Sequence, residues 1–162
     1  MKNRGMYIEE LINKTINYYN SNNIGSFEKR NLPISIKEIN NNFVTGYLKE
    51  KSKVDYFGLF KTKHVEFESK QTTKNYFRFS LFKEHQLKYL FKIHEMGSIS
   101  FLIIHFFNID STIAISCDQL KYLFKTFKNK KIPYDVLKEH GKEIALIFPG
   151  ILNLIEFLEN LV

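Results

Sequence analysis

The chain has 162 residues, 44% of them hydrophobic and 25% charged, and carries a net charge of +7. That length supports one domain whose core needs no staples, and the apolar share excludes a disordered chain. Cys117 is the one cysteine, which excludes an internal disulfide framework and suits a reducing compartment. The opening MKNRGMYIEE lacks the apolar centre of a signal peptide. The best apolar run, ISFLIIHFF at 99–107, contains His105 and is about half the length a membrane helix needs. A soluble cytoplasmic protein with no membrane partner is expected. The positive charge favours a polyanionic partner, most simply nucleic acid, although a lysine- and asparagine-rich composition has a plain coding explanation too. Arg4, Arg30 and Arg78 are the only arginines. Lysines meet phosphate as point charges, so backbone and shape should dominate recognition over base reading.

In chain order, Ile8, Leu11, Ile12 and Ile16 recur at helical spacing and predict an amphipathic helix from about Tyr7 to Asn20. The run NSNNIG ends it. A short strand is expected over Ser26–Lys29. Residues 31–53 begin at NLP and contain the strand-like pieces ISI and FVTGYL; they read as a hairpin that projects from the body. VDYFGLF and HVEFESK, separated by KTK, read as a tight antiparallel hairpin. A polar connector, QTTKNYFRFS, leads to a helix over about Lys83–Glu95 with Leu87, Leu90, Phe91 and His94 inward. GSISFLIIHFF reads as a central strand and STIAIS as the next one. Asp118 is the expected N-cap of a third helix. YDVLKEHG reads as a short helix closed by Gly141, EIALIF as a strand, and ILNLIEFLENLV as a last helix. The sum is an α/β fold, a mixed central sheet flanked by helices. It forms one domain over 1–162 with a hairpin insertion at about 34–53.

On HVEFESK, alternation turns Val65, Phe67 and Ser69 one way and Glu66, Glu68 and Lys70 the other. A solvated face of mixed charge is one reading. The hairpin supplies another, because it brings Asp55 of the preceding strand near Glu68. Two carboxylates a few ångströms apart repel unless a cation sits between them. Oxygen-only ligation with room for water suits Mg²⁺. Lys70, on the same face, can hold a phosphate oxygen or help deprotonate a water. Acid, acid, and lysine at i+2 of the second acid is the general plan of restriction-endonuclease-like nucleases, though many hairpins contain D…E-x-K by chance. Glu66 is the rival ligand. Other chemistries find no motif. The histidines show no H-x-x-x-H pairing, and neither a phosphate-binding glycine loop nor a nucleophile elbow is present.

Four segments carry a family resemblance. NRGMYIEELINKTINYY (3–19), VDYFGLF followed by VEFESKQT, KEHQ (83–86) and IPYDVLKEHG (132–141) resemble, in order and approximate spacing, the RecU-type Holliday junction resolvases. The match runs over nearly the whole chain, and its N-terminal run is the most specific part. The resemblance implies a restriction-endonuclease-like fold with a projecting stalk hairpin. It also implies a homodimer, Mg²⁺ dependence, and cleavage of two like strands of a four-way DNA junction in homologous recombination and DNA repair. It makes Asp55 and Glu68 metal ligands and Lys70 the transition-state stabiliser. Gln86 becomes a further metal contact through its amide oxygen or a water. The E-x-K spacing selects Glu68 over Glu66, which is left behind the site or in solvent. Arg4 matches a family arginine near DNA. Lys49, Lys51 and Lys53 on the stalk are candidate DNA contacts, with a solvated charge run as the plain alternative. A recombinase or a branch-migration helicase is a further candidate partner.

Two departures from the family pattern stand out. The stalk segment is shorter, and Lys53 occupies the place of a threonine that the family counts among its metal contacts. An ammonium cannot ligate Mg²⁺, so that contact is lost or passes to the backbone carbonyl. The substitution keeps a second reading open: a catalytically degenerate module that binds junctions or a recombinase without cutting. A sequence-specific restriction-type nuclease is a third reading, disfavoured by the scarcity of arginine.

Overall fold

The computed structural model describes residues 6–50 and 53–162. The first helix, α1 (Tyr7–Ser21), buries Ile8, Leu11, Ile12 and Ile16, the stripe that their spacing defines. Its buried hydroxyls all find partners. Thr15 Oγ1 donates to the Leu11 carbonyl at 2.7 Å and accepts from the Leu152 N–H at 2.9 Å. Tyr19 Oη donates to the Leu152 carbonyl at 2.9 Å and accepts from the Leu154 N–H at 2.8 Å. These bonds tie the start of the chain to its last turns. The Asn20 amide brackets the Phe27 backbone with two bonds of 2.8 Å, which seats β1 (Ser26–Lys29).

β2 (Ile34–Asn40) and β3 (Phe43–Leu48) form an antiparallel two-stranded sheet of their own. Asn41 takes the positive φ of their turn, a conformation asparagine tolerates well. β4 (Tyr56–Phe60) and β5 (Lys63–Thr72) make the next hairpin, with Lys61 at positive φ in a two-residue turn. β6 (Tyr76–Phe77) and a single 3₁₀ turn over Phe79–Leu81 lead into α2 (Glu84–Glu95). Then come β7 (Ile99–Phe106), β8 (Ser111–Ser116), α3 (Cys117–Phe127), β9 (Ile132–Pro133) and α4 (Tyr134–His140). The chain closes with β10 (Lys142–Glu143), β11 (Leu146–Ile147), β12 (Ile151–Leu152) and α5 (Ile155–Glu159).

The main sheet runs β1-β4-β5-β7-β8-β10. Only β5 and β7 pair in parallel, joined by a crossover that contains α2; the other neighbours are antiparallel. All eight residues of β7 are buried, so both faces of the sheet are covered there. Val65, Phe67, Phe101 and Ile103 face α1 and α5, whereas Leu102, Ile104 and Phe106 face α2, α3 and α4. Gly58 lets β1 approach β4, because a Cβ there would run into the Ser26 carbonyl oxygen.

Three local expectations change. Ser116, not Asp118, caps α3, its hydroxyl accepting from the Gln119 N–H; Asp118 lies in the first turn, where its charge still favours the helix dipole. EIALIF splits into β10 and β11. The expected last helix gives its first residues to β12, since the chain reverses at Pro149–Gly150 and Ile151 pairs back onto Ile147. Apolar periodicity could not separate a short buried strand from a helix there. Among the described residues no helix is long and apolar enough to cross a membrane.

The rings of Tyr56, Phe67 and Phe101 stack across three adjacent strands, with centroids 4.8 and 4.7 Å apart and planes within 8°. Phe67 is the middle ring and is 1% exposed. Phe67→Ala is expected to cost about 3–5 kcal/mol, read as a lower urea midpoint in equilibrium unfolding. An unchanged midpoint would mean that the stack does not hold the hairpin to β7.

Candidate active site

The site grows from the β4–β5 register. Tyr56 pairs with Phe67, so Asp55, one residue before β4, stands opposite Glu68. The Asp55 main-chain N–H donates to Glu68 Oε2 at 3.1 Å. Lys70, two residues along the same strand face, places Nζ 2.5 Å from Glu68 Oε1. From α2, Gln86 Nε2 donates to Glu68 Oε2 at 3.2 Å and to the Lys53 carbonyl at 3.3 Å. The structure thus brings Asp55, Glu68, Lys70 and Gln86 together from three different segments.

Glu68 is fully buried, and that governs its electrostatics. Burial raises its carboxyl, the Lys70 ammonium opposes the rise and the Asp55 carboxylate adds to it, leaving it pushed up to about 7. One cation beside two carboxylates leaves the site short of positive charge. The donor set is oxygen-rich: two carboxylates, the Lys53 carbonyl and the Gln86 amide. Among the described residues no three His, Cys, Asp or Glu side chains converge. A hard cation with room for water, such as Mg²⁺, fits these donors better than a transition metal.

Glu66 shares the strand face of Glu68 but has a different environment. Arg30 Nη2 lies 2.8 and 2.7 Å from its two oxygens, the Tyr89 hydroxyl donates to Oε1 at 2.6 Å, and His64 Nε2 lies 3.0 Å from Oε1. Burial and the Glu66 carboxylate together push the Tyr89 phenol up to about 12, so it stays a donor. Glu66 is therefore buried and engaged by Arg30, Tyr89 and His64 rather than solvated.

Gln86 turns its nitrogen toward Glu68, while its Oε1 accepts from the Lys83 N–H at 3.4 Å at the start of α2. Lys53 lies outside the strand ladder, which begins at Tyr56. Its side chain is exposed, and the ammonium sits 5.3 Å from the centroid of the Tyr89 ring. Lys49 is exposed at the base of the β2–β3 hairpin, its N–H bonded to the Pro33 carbonyl. Arg4 and Lys51 fall outside the described residues. Arg30, Tyr89 and His64 were not among the residues the sequence singled out. His64 shares the alternation of HVEFESK; Arg30 and Tyr89 have no local pattern, being joined to Glu66 only by the fold.

A mixed sheet whose hairpin gathers two acids and a lysine beside one helix is the restriction-endonuclease-like architecture. The structure of Archaeoglobus fulgidus Hjc, a Holliday junction resolvase, matches this fold with a TM-score of 0.51, covering 82% of this chain and 93% of that one at 10% identity. The family model for Recombination protein U matches residues 3–160. The Holliday junction resolvase RecU of Ureaplasma parvum is 40% identical over 160 residues, covering 99% of this chain and 94% of that protein. The one from Mycoplasmopsis pulmonis is 31% identical, covering 99% and 97%. The chain belongs to the Recombination protein U family.

Glu68 binds its proton more tightly in the folded protein than in the unfolded one, because its pKa rises from about 4.5 to about 7. That stability is fully present below about pH 4.5 and is lost as pH rises through about 7. In metal-free buffer the wild type should therefore lose a few kcal/mol relative to Glu68→Gln between about pH 4.5 and 8. Urea unfolding of both proteins at several pH values measures this. Parallel stability curves would contradict the buried, charge-deficient Glu68.

Proposed function

We propose that this chain is a Mg²⁺-dependent endonuclease that cleaves four-way DNA junctions in homologous recombination and repair, working in the cytoplasm as a homodimer. The observation that carries the reading is the convergence of Asp55, Lys70 and Gln86 on the buried Glu68 carboxylate. Family membership and the names of the relatives support the substrate.

Asp55 and Glu68 would hold the metal, with the Lys53 carbonyl as a further oxygen. Rotating the Gln86 amide by half a turn would exchange its nitrogen for its oxygen on the same side. Bound there, a divalent ion supplies Lewis acidity for phosphodiester hydrolysis. With a cation held there, Glu68 would no longer depend on Lys70 for its counter-charge, and the Lys70 ammonium would be free to hold the phosphate oxygen on which charge develops. Lys53 points to Tyr89 rather than into the site, so it does not compete with the cation. Its exposed ammonium would meet DNA phosphate as a point charge.

Two matched incisions in a junction call for two sites related by one axis, which a symmetric dimer supplies. The β2–β3 hairpin supports this reading. It exposes Ile34, Ile36, Ile39, Phe43, Tyr47 and Leu48 at 52% to 81%, an apolar load that a monomer rarely leaves to water. A recombinase or a branch-migration helicase remains a candidate partner at the same junction.

The test is a labelled four-way junction beside a matching linear duplex, with and without Mg²⁺. Paired cuts in the junction alone, dependent on Mg²⁺, are expected. Glu68→Ala should bind junctions and not cut them, because binding rests on lysine–phosphate contacts spread over a wide surface. Binding without cutting by the wild type at any Mg²⁺ concentration would replace the nuclease with a junction-binding module.

Lys53→Thr should bind more weakly and flatten the salt dependence of binding by up to about one unit of slope, the share of one phosphate contact. Its cleavage at saturating Mg²⁺ should match the wild type. Cleavage by Lys53→Thr alone, with an inert wild type, would mark the lysine as an inactivating change.

A further inference from the structure

Arg30, just past β1, reaches the active-site segment in two ways. Its main-chain N–H donates to the Asp55 carbonyl at 2.7 Å, and its side-chain Nε donates to the Val54 carbonyl at 3.2 Å. The same guanidinium lies on both oxygens of Glu66 and over the rings of Phe57, at 4.7 Å, and Tyr89, at 5.9 Å. The ion pair is sheltered, with side-chain exposures of 20% for Arg30 and 3% for Glu66. A buried carboxylate and guanidinium must satisfy each other, so their geometry is stiff. Val54 and Asp55 need that stiffness. They lie before the first ladder pair of β4: the Arg30 main-chain N–H holds the Asp55 carbonyl, and the Arg30 side chain supplies the bond to the Val54 carbonyl.

We propose that Arg30 and Glu66 are positioning residues: their buried ion pair clamps the Val54–Asp55 segment to β5 and sets where the Asp55 carboxylate stands relative to Glu68. The inference rests on the metal-dependent nuclease reading above and assigns neither residue a direct contact with the metal or the DNA. Arginine is needed for a geometric reason. Nη2 meets Glu66 while Nε meets the Val54 carbonyl, and a rigid fork makes both bonds at once. A lysine keeps the charge beside Glu66 and loses the hold on Val54. Tyr89 completes the device, since its hydroxyl fixes Glu66 from the α2 side.

The experiment compares the full chain with Arg30→Lys and with the double variant Arg30→Met/Glu66→Leu, which removes both charges together and strands neither. The first readout is amide hydrogen exchange at Asp55, whose N–H bonds to Glu68, against amides of β7 as internal controls. The second is Mn²⁺ binding without DNA, followed by the paramagnetic signal of the free ion. The third is the Mg²⁺ dependence of junction cleavage. Arg30→Lys should keep β7 protection and exchange faster at Asp55. It should also bind Mn²⁺ about tenfold more weakly, the usual scale for loss of a support behind a metal ligand. The Mg²⁺ needed for half-maximal cleavage should rise with it, with a smaller loss of rate at saturation. The double variant should show the same pattern. A pair that only stabilises the fold predicts otherwise: wild-type Asp55 exchange and Mn²⁺ affinity in Arg30→Lys would overturn the inference. If the wild type neither binds Mn²⁺ nor cuts, the nuclease reading fails. The Asp55 exchange then decides the clamp alone, with faster exchange in Arg30→Lys supporting it and unchanged exchange overturning it.

Discussion

A carboxylate with no exposed surface is the constraint on which this structure turns. Taking Glu68 out of water costs several kcal/mol unless charge and hydrogen bonds compensate. Its donors come from the same strand, from the residue before β4 and from α2, so each must be in place for the carboxylate to be tolerated. The hairpin register, the parallel crossover and the position of α2 over the sheet, set by the two apolar clusters, together bring those donors to it. The compensation is incomplete, as the pKa near 7 records, and the missing charge is positive. A buried acid balanced this way is poorly suited to stability and well suited to taking up a cation.

Glu66 shows what full compensation looks like, two residues away on the same face. It has the Arg30 guanidinium, a phenol and an imidazole around it, and burial together with the Glu66 carboxylate pushes the Tyr89 phenol up. The two acids therefore divide the work by their neighbours, not by their place on the strand. Glu66 gathers β1, β5 and α2 into one rigid corner. Glu68, with an anion as well as a cation beside it, keeps an unmet demand. The strand HVEFESK carries both roles because alternation puts them on one face, and the corner held by the first sets the geometry available to the second.

Much of this was legible in the sequence, and the reasons differ by element. α1 was readable because its apolar stripe is long and its terminator NSNNIG is strong. The β4–β5 hairpin was readable because two alternating segments flank a short polar turn, and its register placed Asp55 across from Glu68. The burial of Glu66 and Glu68 was not readable. Alternation assigns a face, but only the crossover into β7 reveals that α2 covers that face. Arg30 was illegible for a similar reason. It lies 36 residues from Glu66, and no spacing rule links them. The C-terminal strands were lost to a periodicity that short buried strands and helices share.

Lys53 illustrates how backbone and side chain can part company at one position. In a regular strand Lys53 and Asp55 would share a face, and an ammonium would crowd the metal. The ladder starts only at Tyr56, so that alternation does not bind residues 53–55. Arg30 holds the Val54 and Asp55 carbonyls instead. The Lys53 carbonyl turns inward to Gln86 while its side chain turns outward to the face of Tyr89, where a cation is attracted by the ring. A threonine at this place would offer its hydroxyl or its carbonyl to the same spot. The lysine can offer only the carbonyl, and the clamp on the next two residues is what allows it to do so without bringing its charge along.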